Sequence, residues 1–311
     1  MRYLRKHSLY RVNLLLLLSI IYLEQRCQSL PGKTIAMIVG LLALMLFIPA
    51  YYLALGAYQA ESEDQRSIFL IGDENQSDRV DVDARIVSLD PLQGEGKLRL
   101  VLLPQGNLSH GFSCAKTLKL LSPGAVKANG LGETIFEKDR ILTPVDLIYS
   151  MDGQASDYPF DVHSAMIVLA INQTNPERTV PFVLWFKGNM PGFAIDLQPI
   201  EGLPPGIRAV NLTVTRSATV VNAALAGIVV MWAIGIGVLA LIGLMLTDWY
   251  NIRMPALFAA LLFGLFSLRN SLPGTPPIGT YSDFLAFLWV QGIVALALIV
   301  AVVATIKHRP T

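Results

Sequence analysis

The sequence predicts a mixed α+β membrane protein. It has an N-terminal signal-anchor helix, an exoplasmic β-sandwich-like domain and a C-terminal bundle of three transmembrane helices. Three observations carry this. Of 311 residues, 53% are hydrophobic and 15% charged, with a mean hydropathy of +0.51, whereas an ordinary soluble domain is about one quarter charged. Long uncharged runs lie on either side of a stretch of mixed composition. Within that stretch apolar and polar residues alternate with the period of half-buried strands.

The elements follow in order. Residues 1–33 form a basic N-terminus, with Arg2, Arg5, Lys6, Arg11, Arg26 and Lys33 against Glu24 alone. Its apolar run Val12–Leu23 has 12 residues, interrupted by Asn13. That is short for a span, and it reads as amphipathic, membrane-surface or upstream sequence. Residues 34–58 are uncharged and long enough to cross a hydrocarbon core, which takes about 20 apolar residues. The small residues Ala54, Gly56, Ala57 and Ala60 offer a signal-cleavage alternative. The run exceeds the usual apolar core of about 7–15 residues, so an uncleaved anchor is the expectation.

Residues 59–217 read as β. Val80, Val82, Ala84 and Ile86 alternate with Asp81, Asp83 and Arg85. Further strands are expected over Lys97–Leu103, Thr117–Leu121, Val145–Tyr149, Val162–Ile171, Val180–Phe186, Phe193–Leu197 and Ala209–Thr215. The pieces between them, Gly94-Glu95-Gly96, Ser122-Pro123-Gly124, Asn129-Gly130 and Met190-Pro191-Gly192, read as turns. Short strands at this spacing suggest a sandwich or small barrel. Residues 218–247 then give an uncharged span. Residues 254–268 are apolar but only 15 long, a short span or a re-entrant segment. Residues 269–283 form a Pro/Gly-rich exoplasmic loop, 284–306 the last span and 307–311 a cytoplasmic tail.

Lys and Arg concentrate on the cytoplasmic side of membranes. The net charge of +1 divides into +5 over residues 1–33, −6 over 59–217 and +2 over 218–311. Both termini are therefore expected in the cytoplasm, with 59–217 outside the plasma membrane or in the secretory pathway. The partners expected are the lipid bilayer and a protein partner, or self-association through the spans. An acidic exoplasmic domain argues against nucleic acid. The domain carries the sequons Asn75-Gln76-Ser77, Asn107-Leu108-Ser109, Asn172-Gln173-Thr174 and Asn211-Leu212-Thr213, using four of its seven asparagines. This points to N-glycosylation. Cys27 and Cys114 fall on opposite sides of the first span, so no disulfide joins them within one chain.

Chemistry is harder to find. Ser109, His110 and Cys114 lie close in sequence, but no nucleophile motif surrounds them. Asp73, Glu74, Asp78, Asp81 and Asp83 form an acidic cluster without EF-hand spacing. No catalytic residue, cofactor site or metal site is expected. The expected spans hold no ionisable residue of the kind that marks a transport pathway. Asn222 is their clearest polar residue, and Ala223/Gly227 and Ala233/Gly237 have small-xxx-small spacing. The expected function is binding, scaffolding or assembly. The alternatives are a pore or transporter subunit and, less so, a membrane-tethered hydrolase using His110 or His163.

The most distinctive pieces are Tyr158-Pro159-Phe160-Asp161 and Pro273-Gly274-Thr275-Pro276-Pro277-Ile278-Gly279 with Asp283. The loop reads either as a helix breaker or as a docking element beneath the exoplasmic domain. In these motifs and in element order, residues 34–306 resemble an uncharacterised family of integral membrane proteins. That family is known from actinobacteria and fungi and is catalogued as domain of unknown function 4436. The resemblance implies the architecture and no activity; with the sequons it tilts the source towards a fungus. Tyr158-Pro159-Phe160-Asp161 is also similar to a loop at the base of the β-sandwich in pentameric ligand-gated channels. The extra N-terminal span, the short third segment and the absence of a matching fourth channel helix depart from that pattern.

Overall fold

The computed structural model describes residues 32–64, 68–111, 113–127, 130–174, 176–188, 190–204, 206–245 and 253–307. The expectations for Val12–Leu23, Cys27 and Asn129 fall outside these residues. The chain divides into two compact units, Met1–Gly56 and Ala57–Thr311. Helix α1, Gly32–Asp64, contains Pro49 and runs past the expected end of the first span at residue 58.

In the second unit, alternation produces the strands it predicts. β2 (Val80–Asp90) and β3 (Glu95–Pro104) bury every second residue over most of their length and pair antiparallel from Val80↔Pro104 to Asp90↔Glu95. The turn between them is Pro91–Gly94, so Glu95 and Gly96 belong to the strand rather than the turn. β6 (Leu118–Lys127), β8 (Val145–Ser150), β10 (Val162–Thr174), β12 (Phe182–Lys187), β13 (Phe193–Ile200) and β14 (Ile207–Arg216) complete the expected set. The sequence reading omitted β1 (Ile68–Ile71), β7 (Gly130–Phe136) and the short strands β4 (Ser109–His110), β5 (Ser113–Cys114), β9 (Asp152–Gly153) and β11 (Glu177–Thr179).

Of the sandwich or small barrel expected, the structure approaches the barrel, as one large curled sheet. Its order is β1-β12-β2-β3-β8-β6-β10-β14-β13, antiparallel except for the parallel pair β12–β2. Ser122-Pro123-Gly124 is not a turn between strands. It is an irregularity inside β6, which pairs with β10 through Leu118–Leu121 and with β8 through Ala125–Lys127. Gly124, at φ 83°, supplies a conformation that other residues resist. The strand thereby changes partner and bends the sheet round a single core. That core draws Val82, Leu100, Leu120, Leu147, Leu169, Phe186 and Leu212 from seven strands. The result is a large, nearly barrel-like β domain.

Helix α2 (Ala218–Met245) follows β14 after Ser217 alone. Ser217 starts the helix by accepting the Val221 N–H at its carbonyl and the Val220 N–H at Oγ, the N-cap role of serine. Helix α3 (Met254–Asn270) has Pro255 in its first turn, where its missing N–H costs nothing. A π-helical turn, Asp283–Phe287, leads into α4 (Leu288–Lys307). Buried residues recur at helical spacing: Ala224, Ile228, Met231, Gly235 and Val238 on α2, and Val290, Val294, Ala297 and Ala301 on α4. Gly235 lets Val290 approach so closely that an added Cβ would lie 3.2 Å from it. Two stretches, Ala218–Met245 and Asp283–Lys307, are long and apolar enough to cross a membrane, and Met254–Asn270 is shorter.

Candidate functional site at the junction of sheet and helices

Sheet register builds the first half of the junction. β10 and β14 pair antiparallel with Val162↔Thr215, which brings Asp161 and Arg216 side by side at the strand ends. Arg216 Nε donates to both carboxylate oxygens of Asp161, each at 3.0 Å. β13 pairs Phe193 with Arg216, and the guanidinium lies 4.7 Å from the Phe193 ring centroid and 5.3 Å from that of Tyr158. Such cation–π contacts strengthen as water is excluded. His163, buried at 1% exposure, lies 3.1 Å from Asp161 through Nε2. Among the described residues His163 Nδ1 has no hydrogen-bond partner, and Gly153 packs directly over it.

Tyr158 belongs by sequence to the β domain and by packing to the helices. It is 0% exposed and clusters with Val220, Ala224, Phe258, Leu272 and Phe287. Its hydroxyl donates to the Pro273 carbonyl at 2.8 Å, and its own carbonyl accepts the Ser282 N–H. Burial pushes the Tyr158 hydroxyl up to about 12, so it stays a donor. The bond to Pro159 is cis. Phe160 is exposed and meets Tyr281 edge-on at 6.4 Å.

The second half is the segment 271–282. Arg269, expected as the first residue of the exoplasmic loop 269–283, is the penultimate residue of α3 and 4% exposed. Its Nε and Nη2 donate to the two oxygens of Asp283, both at 2.9 Å. Nη1 donates to the Pro276 carbonyl at 2.9 Å, and Nη2 also to that of Pro277. Asp283 in turn accepts the Gly279 N–H at 2.8 Å. The carbonyls of Pro276 and Pro277 point inward, where one planar guanidinium satisfies both. Trp232 Nε1 and Trp289 Nε1 donate to the carbonyls of Leu285 and Phe284 in the π-helical turn. The loop is thus a folded latch that docks under the β domain.

A cleft of about 280 Å³ opens beside the latch. The end of β2 (Leu89 and Asp90), the start of the turn after it (Pro91 and Leu92), Ala155, Tyr158, Phe193, Arg216 and Gly274–Pro277 line it. Gly274, at φ 75°, makes room for Arg216: a Cβ there would stand 2.9 Å from Nη1.

The sequence-level motif residues Tyr158, Pro159, Phe160, Asp161, Pro273, Gly274, Pro276, Pro277, Gly279 and Asp283 therefore meet in one region. The reading missed Arg269 as the partner of Asp283, and His163 and Arg216 as the partners of Asp161. A signal for the latch existed: opposite charges, Arg269 and Asp283, flank a proline-rich loop between apolar helices.

Other candidates stay apart. Cys114 faces the core at 0% exposure, and burial pushes its thiol up to about 11. His110 is exposed and pairs with Asp139 at 3.3 Å. The acidic cluster is dispersed among local partners: Asp73 accepts from Asn75, Asp78 from Asn107, Asp81 from Arg79 and Asp83 from Lys187. Among the described residues no group of acidic, His and Cys side chains is arranged to hold a metal. Of the sequon asparagines, Asn75, Asn107 and Asn211 are exposed. Asn172 is half-buried, its Oδ1 without a partner among the described residues.

Fold and junction define a class: an α+β protein whose large curled sheet is fused through one residue to apolar helices. Over residues 70–215 the chain resembles the family described as Domain of unknown function (DUF4436). Residues 216–308 match a second family, described as Domain of unknown function (DUF8686). The single resemblance expected over residues 34–306 thus resolves into two, meeting where β14 gives way to α2. Tyr158–Asp161 lies in the first and Pro273–Asp283 in the second. No curated protein matches the chain.

Proposed function

We propose that this is a multispanning membrane protein whose β domain acts in binding, scaffolding or assembly outside the membrane. Both termini lie in the cytoplasm, and residues 59–217 lie in the exoplasmic space. The observation that carries the reading is the junction. Ser217 alone separates sheet from helix, Tyr158 is buried among the helices, and the Arg269–Asp283 latch closes beneath. A domain held this way presents its surface at fixed height and orientation, as a docking platform requires.

The outward faces of the helices support insertion in lipid. Val229, Ile236, Phe263, Leu296 and Ile299 are each at least 60% exposed, an apolar surface that water would penalise. The short helix Met254–Asn270 is read as the third crossing of the membrane. Asn75, Asn107, Asn172 and Asn211 are read as glycan acceptors, with half-buried Asn172 the least accessible.

Affinity purification of the intact chain in mild detergent tests the role. The expected result is a stoichiometric partner, or more than one copy, retained equally by His110→Ala. A lone monomer would refute the scaffold. So would a measured hydrolysis abolished by His110→Ala without unfolding. His163→Ala is no such test, because His163 is a buried structural partner of Asp161.

A further inference from the structure

We infer that the cleft beside the latch binds a zwitterionic phosphodiester headgroup, with the phosphate on the Arg216 fork and the cationic amine towards Asp90. The inference deepens the membrane reading above, on which only its lipid source depends.

The Arg216 side chain is 9% exposed, and Asp161 holds it by Nε. That grip leaves the two Nη groups facing the cleft, with no hydrogen bond to any described residue. A planar fork of this kind, held in place by Asp161 and by the Phe193 and Tyr158 rings, matches the oxygens of a phosphate. Gly274 keeps the approach to Nη1 open.

Charge narrows the ligand. Asp161 stands behind Arg216, and Asp90 lines the same cleft. Asp90 Oδ1 accepts the Leu92 and Gln93 N–H groups, which fixes the carboxylate at the rim. Two carboxylates against one guanidinium disfavour a dianion. A phosphodiester with its own ammonium is neutral overall and meets both signs. Leu89, Leu92 and Phe193 supply apolar walls. At about 280 Å³ the cleft falls below the usual range of about 300–1,000 Å³ for whole ligands, so it takes a headgroup and leaves any chains outside. Arg216 in the cleft lies two residues before α2 begins, where the headgroups of an outer leaflet would stand.

The test uses the full chain purified in detergent. Native mass spectrometry follows retention of phosphatidylethanolamine, phosphatidylglycerol and diacylglycerol, and thermal unfolding follows binding of soluble glycerophosphoethanolamine. Two variants report on the cleft. Arg216→Lys keeps a cation for Asp161 but loses the fork. Ala155→Trp fills the cleft and leaves the ion pair intact. The expected result is one phosphatidylethanolamine per chain. Retention should fall about tenfold or more in both variants and for the other two lipids.

A thermal shift with the soluble compound alone, lost in both variants, upholds the site with a soluble source. Equal retention by wild type and both variants overturns the inference, as does preference for phosphatidylglycerol or binding of neither probe. If Arg216→Lys fails to fold, Ala155→Trp decides. Carbonate extraction of the same membranes reports on insertion separately, so failure of the cleft and failure of the membrane reading are distinguishable.

Discussion

Replacing Arg269 with Met should unlatch the loop from the helices. Arg269 and Asp283 are 4% and 1% exposed and share two hydrogen bonds of 2.9 Å. Methionine preserves the aliphatic volume but strands the Asp283 carboxylate, with the Gly279 N–H as a remaining donor. Breaking one side of a buried pair costs about 3–5 kcal/mol. The carbonyls of Pro276 and Pro277 lose their donor as well, which keeps the value in the upper half of that range. At roughly 2–4 °C per kcal/mol for 150–250 residues, thermal unfolding in detergent should fall by about 8–20 °C. Asp283→Asn keeps the shape and removes the charge, and should cost less, about 1.5–3 kcal/mol. The double variant no longer strands a carboxylate, so it should lose less than the sum, with a coupling of about 1–3 kcal/mol. A drop below about 2 °C for Arg269→Met, or strict additivity in the double variant, would refute the latch.

Tyr158→Phe leaves the Pro273 carbonyl without its donor at 2.8 Å and should cost about 1–3 kcal/mol in thermal unfolding, while near-ultraviolet dichroism of the β domain stays unchanged. Arg99, by its hydrogen bonds, holds the Asp146 carboxyl down at about 2, with Lys97 adding to it against some desolvation. The folded value lies below the unfolded one of about 3.9, so this stabilisation is present above pH ~4 and is lost as pH falls towards 2; Asp146→Asn should flatten the acid limb of a stability–pH curve in that window, the more so at low salt. Cys114, with its thiol up at about 11 and 0% exposed, should resist maleimide at pH 7.5 in the folded protein and react on denaturation, as read by peptide mapping.

The strands were legible where one face is buried and the other wet. Alternation of Val80, Val82, Ala84 and Ile86 with charged residues located β2 because sidedness in a sheet has period two. β1 and β7 escaped because their alternation is short or blurred by glycine: Ile68–Ile71 has four residues, and Gly130–Phe136 includes Gly132. Ser122-Pro123-Gly124 was misread because turn-forming residues also serve bulges, and only pairing to two different strands separates the cases. Arg269 was misplaced because a charge at the end of an apolar run usually marks the water boundary. Here it is neutralised by a residue 14 positions on.

Composition and spacing were enough to determine that the chain has a β domain, apolar helices and a proline-rich loop between two of them, because burial periodicity and chain stiffness are local properties. The tertiary structure alone decided what the loop and the Tyr158–Asp161 turn do. Their roles rest on contacts such as Tyr158 to Pro273, 115 residues apart, and Asp161 to Arg216, 55 apart. Strand register and helix packing set those distances, and no pattern within either segment encodes them.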